Sequence, residues 1–125
     1  MTREDKELLL KDLCSRLPYG VKCNVGDNKP YTLSRIEVDG INGHLLDFIE
    51  NKNGLDMQVY LSEVKPYLFP LLSMTEEQQI DLTKFVANGI HDENILYDWY
   101  NKNHFDYRGL IPMGLAIDAI GLNIY

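Results

Sequence analysis

The chain of 125 residues is short of several things, and each shortage removes a class of answer. There are two cysteines, Cys14 and Cys23, and their spacing is not C-x-x-C. Neither a disulfide framework nor a cysteine-rich metal site is written in such a pattern. The three histidines, His44, His91 and His104, stand in no H-E-x-x-H or comparable ligand spacing. No metal and no other cofactor is therefore expected. Lys and Arg number 12 against 19 Asp and Glu, for a net charge of −7. Neutralising phosphates takes clustered cations, so nucleic acid is not an expected partner. Long apolar runs are missing as well. The longest are Leu8-Leu9-Leu10 and Tyr67 to Leu72, the latter broken by Pro70. A spanning helix needs about 20 apolar residues. The opening Met1-Thr2-Arg3-Glu4-Asp5-Lys6 is mixed in charge and leads into no signal-type stretch. The expectation is a cytoplasmic protein without membrane association.

Catalytic signatures are absent too. None of Ser15, Ser34, Ser62 and Ser73 sits in a G-x-S-x-G elbow. Gly109 and Gly114 have P-loop spacing but lack the following lysine, and no G-x-G-x-x-G occurs. Paired acids such as Glu76-Glu77 are explained by a helix start. The reading is that the chain is not an enzyme.

What is present is a patterned globular sequence, 45% hydrophobic and 25% charged, which is long enough for one self-sufficient domain. Residues 3–17 read as an amphipathic helix. Leu9, Leu13 and Leu17 recur every four positions, with Leu10 and Cys14 beside them. Thr2 is its N-cap. Glu7 with Lys11, and Asp12 with Arg16, read as i,i+4 pairs on a solvated face. Cys14 is placed on the apolar face as a small hydrophobe, and Pro18 ends the helix.

Residues 20–61 alternate apolar and polar, the period of half-buried strands. Four strands are predicted, near 20–25, 31–38, 44–49 and 56–61. The second and third joints carry the turn signals Asp39-Gly40, Asn42-Gly43 and Asn51 to Gly54. The phase slips between Leu33 and Ile36, which predicts a bulge. The expected architecture is an antiparallel four-stranded meander or small SH3-like barrel. Ser62 to Lys65 reads as a helical turn, and Pro66 and Pro70 as the ends of an extended connection lying on the core.

The remainder reads as helical. Thr75 and Gln78 form a capping box ahead of Ile80, Leu82, Phe85 and Val86. Asn88-Gly89 is the expected end of that helix, and Asp92 the cap of a second, near 93–103, so the two predict a helical hairpin. Phe105 to Ile111 reads as a turn of helix, Leu115 to Ala119 as a weak strand, and Gly121 to Tyr125 as a terminal strand or docked tail. The whole is one α+β domain over residues 1–125, with a strand-rich half at 18–61 and a helical half at 62–125.

The densest feature runs from Tyr97 to Gly109, where five of thirteen residues are aromatic and the single tryptophan occurs. Trp, Tyr and Arg are common anchors of binding surfaces. The candidate site residues are Trp99, Tyr100, His104, Tyr107 and Arg108. The same residues also fit an aromatic core seam. Charge is unevenly placed: residues 1–61 carry a net −2 and residues 62–125 a net −5. An acidic helical half with aromatic anchors predicts a protein partner. The alternative is a small-molecule partner, with Arg108 clamping the phosphate of a nucleotide stacked on an aromatic ring.

Two stretches also carry a resemblance. They are Val64-Lys65-Pro66-Tyr67-Leu68-Phe69-Pro70-Leu71 with Met74-Thr75-Glu76-Glu77, and Asp98-Trp99 with His104-Phe105-Asp106-Tyr107-Arg108-Gly109-Leu110-Ile111. Over its second half the chain resembles a family of short uncharacterised proteins from gut anaerobic bacteria, their phages and mobile elements. The resemblance implies no catalytic residue. It implies a setting, that of a small accessory protein of a phage or mobile element. In that setting a nucleotide-sequestering protein would counter host defence signalling.

Overall fold

Thr2 starts the first helix. Its hydroxyl accepts from the amide of Asp5 while the Asp5 carboxylate accepts from the amide of Thr2, so two otherwise orphaned donors are satisfied. In this computed structural model, which describes residues 1–37, 44–49, 56–87 and 93–125, helix α1 runs Arg3–Arg16. A 3-10 turn at Leu17–Tyr19 follows, with Pro18 inside it and Gly20 in the left-handed region at φ 67°. Leu9 and Leu13 are wholly buried, as their spacing requires.

The neighbours of that stripe differ from expectation. Asp12 and Arg16 are wholly buried, whereas Cys14 is exposed. Positions 9, 12, 13 and 16 share one helical face as readily as 9, 10, 13 and 14 do. The choice between the two faces is made by what packs on α1, and that brings partners for the charged pair.

Strands β1 (Lys22–Asn24), β2 (Tyr31–Glu37), β3 (Leu45–Ile49) and β4 (Asp56–Tyr60) lie side by side in chain order, each antiparallel to the next. The register of β2 against β3 shifts between Leu33 and Arg35, where the alternation slips. The expected turns at 39–43 and 51–54, the helix end at Asn88-Gly89, the cap Asp92 and the histidine His91 lie outside the described residues.

The expected barrel is replaced by an open sheet. The free edge of β1 is taken by β5 (Lys65–Pro70) rather than by β4, so the sheet extends instead of closing, in the order β4-β3-β2-β1-β5-β6. The stretch between the two prolines, predicted as a connection, is thus a strand of the sheet. Pro66 stands opposite Cys23 and Pro70 is the last residue, so both prolines sit near the strand ends where a missing N–H is tolerated. Tyr67 and Leu68 are buried between them.

Residues 62–125 also supply β6 (Phe105–Asp106), where a helical turn was predicted, and β7 (Ile117–Asp118), both parallel to β5. Helix α2 (Glu76–Ala87) begins at the predicted capping box, with Thr75 and Gln78 each accepting from the other's amide. Helix α3 spans Glu93–Lys102. The core gathers Leu9, Leu13, Val21, Phe48, Leu68 and Leu110, drawn from α1, the sheet and the 107–116 segment. None of the twelve residues of α2 is buried. No helix is long and apolar enough to cross a membrane among the described residues.

Candidate functional site

The 103–111 segment folds back on itself because two residues accept unusual backbone. His104 has φ 62° and Gly109 φ 77°. Between them the Asp106 carboxylate accepts from the amides of Leu110 and Ile111 at 2.8 and 2.9 Å, so the chain turns sharply after β6. That turn delivers the Phe105 carbonyl, Tyr107 and Arg108 onto the buried side of α1.

There they meet Asp12 and Arg16. Arg16 Nε donates to Asp12 Oδ2 at 2.8 Å and its Nη2 to the Phe105 carbonyl at 2.6 Å. Arg108 Nε donates to the other carboxylate oxygen at 3.1 Å, while its Nη2 donates to Ser15 Oγ and to the Tyr107 hydroxyl. One carboxylate is shared by two guanidiniums. The side chains of Asp12 and Arg16 are fully enclosed, and that of Arg108 is 14% exposed. Burial pushes the Asp12 carboxyl up, Arg16 and Arg108 pull it back, and nearby Asp106 pushes it up further. Among the described residues Arg16 Nη1 has no protein acceptor.

Arg108 and Arg16 also cap the Tyr107 ring, at 4.7 and 5.4 Å from its centroid. Tyr107 stacks on Tyr97 at 5.0 Å and 12°, and on Tyr100 at 5.5 Å and 22°. Tyr100 meets Trp99 edge-on, and Trp99 stacks on Phe105 at 5.7 Å and 8°. Phe105 contacts Phe69, Phe69 contacts Tyr125, and Tyr125 stacks on His104 at 3.7 Å. Eight rings therefore form one continuous chain. Its exposed members are Tyr97 near one end and Tyr125 near the other, at 40% and 41%.

The five predicted site residues fall along this chain in different environments. Trp99 is buried, and its Nε1 donates to Asp81 Oδ2 of α2 at 3.0 Å. Tyr100, Tyr107 and Arg108 are brought together in the half-buried cluster against α1. His104 is remote from them, at the Tyr125 end. Its Nδ1 is buried without a partner among the described residues, and burial with the charges of Arg16 and Lys22 brings its pKa down to about 4. The Tyr125 hydroxyl accepts from the Lys22 amide and donates to the Tyr67 carbonyl, both at 2.8 Å, so the 121–125 segment is docked between β1 and β5.

Sequence reasoning missed Asp12, Arg16 and Tyr97. The signal for the first two was present, since both keep the i+3 spacing from Leu9 and Leu13 that marks the buried stripe. Tyr97 falls on a different side of α3 from Leu96, Trp99 and Tyr100. That same fact leaves it accessible.

Asp81 also marks a groove. A depression of about 340 Å³ between α2 and α3 is bordered by Glu77, Gln78, Ile80, Asp81, Lys84 and Trp99 among others. A second, of about 330 Å³, lies over Phe69 and Phe105 between Thr75, Gln78 and Ile120. Among the described residues no three His, Cys, Asp or Glu side chains converge as a metal site would require. Comparison with family models, curated proteins and solved structures finds no match to the chain.

Proposed function

We propose that the chain is a non-enzymatic binding module that recognises another protein, and that it serves as a cytoplasmic accessory protein of a phage or mobile element. The recognition surface is the aromatic face of α3 and the 103–109 turn, carried on the hairpin that α2 and α3 make. One observation carries this reading: Tyr97, Tyr100 and Tyr107 stack as a half-exposed cluster whose base is locked by the buried Asp12 and Arg16 and the partly exposed Arg108. Rigid tyrosines lose little entropy on binding and offer a large amphipathic contact. The engagement of Arg108 with Asp12, Ser15 and Tyr107 favours a protein over a nucleotide, because the guanidinium edge that would clamp a phosphate is already in use.

The test is affinity capture from the native host with the wild type and Tyr97→Ala. Tyr97 is exposed, so its truncation leaves thermal stability near that of the wild type. The expected result is a captured protein that the variant loses. A partner retained equally by Tyr97→Ala would remove the tyrosine cluster from recognition.

A further inference from the structure

Helix α2 has no buried residue, yet it is not isolated. The depression over Phe69 and Phe105 and the one between α2 and α3 both border on Gln78, so they adjoin along one side of the helix. Their floor is the middle of the aromatic chain, Phe69, Phe105 and Trp99. Ile120, which borders the depression over Phe69 and Phe105, is 54% exposed. Leu72, the chain neighbour of Ser73 on the same border, is fully exposed in the 3-10 turn that follows β5. That turn is held by the Ser73 hydroxyl donating to the Pro70 carbonyl, so Leu72 is displayed from a braced position.

Charge says what fits. The charged side chains bordering the two depressions are the carboxylates of Glu77 and Asp81 and the ammonium of Lys84. Among the described residues Lys84 of α2 is the single cation there, and it borders only the depression between α2 and α3. Phosphate-bearing ligands are repelled by such a rim, whereas Lys and Arg side chains extend apolar stems over the floor and set their charged ends against the carboxylates.

We infer that the groove along α2, floored by Phe69, Phe105 and Trp99 and rimmed by Glu77 and Asp81, docks a basic amphipathic segment of the partner protein. The inference rests on the protein-binding reading and names the chemistry of the partner. The tyrosine cluster and this groove share no bordering residue, which allows their failures to be told apart.

The probe is a fluorescein-labelled 14-residue peptide with leucines recurring at i, i+3, i+4 and i+7 and lysines at the other positions, so that it is amphipathic as a helix. The same peptide with every lysine replaced by glutamate is the control. Anisotropy is read with the wild type, Glu77→Lys, Ile120→Ser and Tyr97→Ala. Emission of the sole tryptophan, Trp99, is followed in an unlabelled titration. The lysine peptide is expected to bind and to shift Trp99 emission, and the glutamate peptide to bind at least tenfold more weakly. Glu77→Lys and Ile120→Ser each lower affinity at least tenfold with unchanged melting. Failure of the lysine peptide to bind, or equal binding by both peptides or by wild type and Ile120→Ser, overturns the groove. So does a wild-type dimer in sedimentation that Ile120→Ser dissolves, since a second copy would then be the occupant. If the groove fails while Tyr97→Ala still abolishes capture from the host, the protein-binding reading stands without it.

Discussion

Replacing Asp12 with Asn tests the frame on which the aromatic surface rests. The carboxylate takes Arg16 on one oxygen and Arg108 on the other, and neither Asp12 nor Arg16 reaches solvent. Asparagine keeps the shape but removes the charge, and its amide N–H₂ faces a guanidinium donor on one side. Two positive charges then remain with no counter-charge between them. Breaking a buried pair in this way costs about 3–5 kcal/mol. For a chain of this length the melting temperature falls by roughly 10–20 °C. Arg108→Met has a different balance. It loses the Asp12, Ser15 and Tyr107 bonds but leaves Asp12 and Arg16 as a neutral pair, and Arg108 is the partly exposed member. Its cost is about 1.5–3 kcal/mol. The triple change Asp12→Leu, Arg16→Met, Arg108→Met removes all three charges together and is expected within about 1 kcal/mol of the wild type or above it. Urea unfolding of the four proteins at pH 7 measures the series. Asp12→Asn costing less than Arg108→Met would refute the shared-carboxylate argument, because the charge left behind would then not be buried.

The remaining expectations use the same physics. His104 has its pKa depressed from 6.5 to about 4, so the unfolded chain binds its proton more readily and the histidine's contribution to stability, full above 6.5, is lost as pH falls towards 4. Because the ring is partly exposed, the loss is about 1–2 kcal/mol rather than the full value of the shift. His104→Asn, which tolerates the φ of 62°, should show a shallower fall in urea midpoint between pH 7 and pH 4.5 than the wild type. A thiol reagent should label Cys14 in the folded protein. Cys23, wholly buried and with its thiol pushed up by burial, should react only on unfolding; two equally fast thiols would contradict the packing of β1. Tyr125→Phe leaves the Lys22 amide and the Tyr67 carbonyl without their hydroxyl partner and should cost about 1–3 kcal/mol, with faster hydrogen exchange at the Lys22 amide.

Much of the chain was legible from neighbouring residues alone. Thr2 as an N-cap, and Thr75 with Gln78 as a capping box, set helix starts because a cap is a contact between residues a few positions apart. The alternation in 20–61 yielded strands because side chains on a strand point to alternate faces, and the slip after Leu33 marked the register shift. What distant partners decide was not legible. The 66–70 stretch is a strand only because β1, β6 and β7 supply its hydrogen bonds, and nothing local in a segment bounded by prolines announces that. Asp12 and Arg16 have the same spacing whether they face water or the core. Phe105 and Arg108, some ninety residues along the chain, place them inside. The order of the eight rings belongs to the tertiary structure for the same reason: composition and period say that aromatic side chains will cluster, but which ones remain open to a partner depends on contacts that only the folded chain brings together.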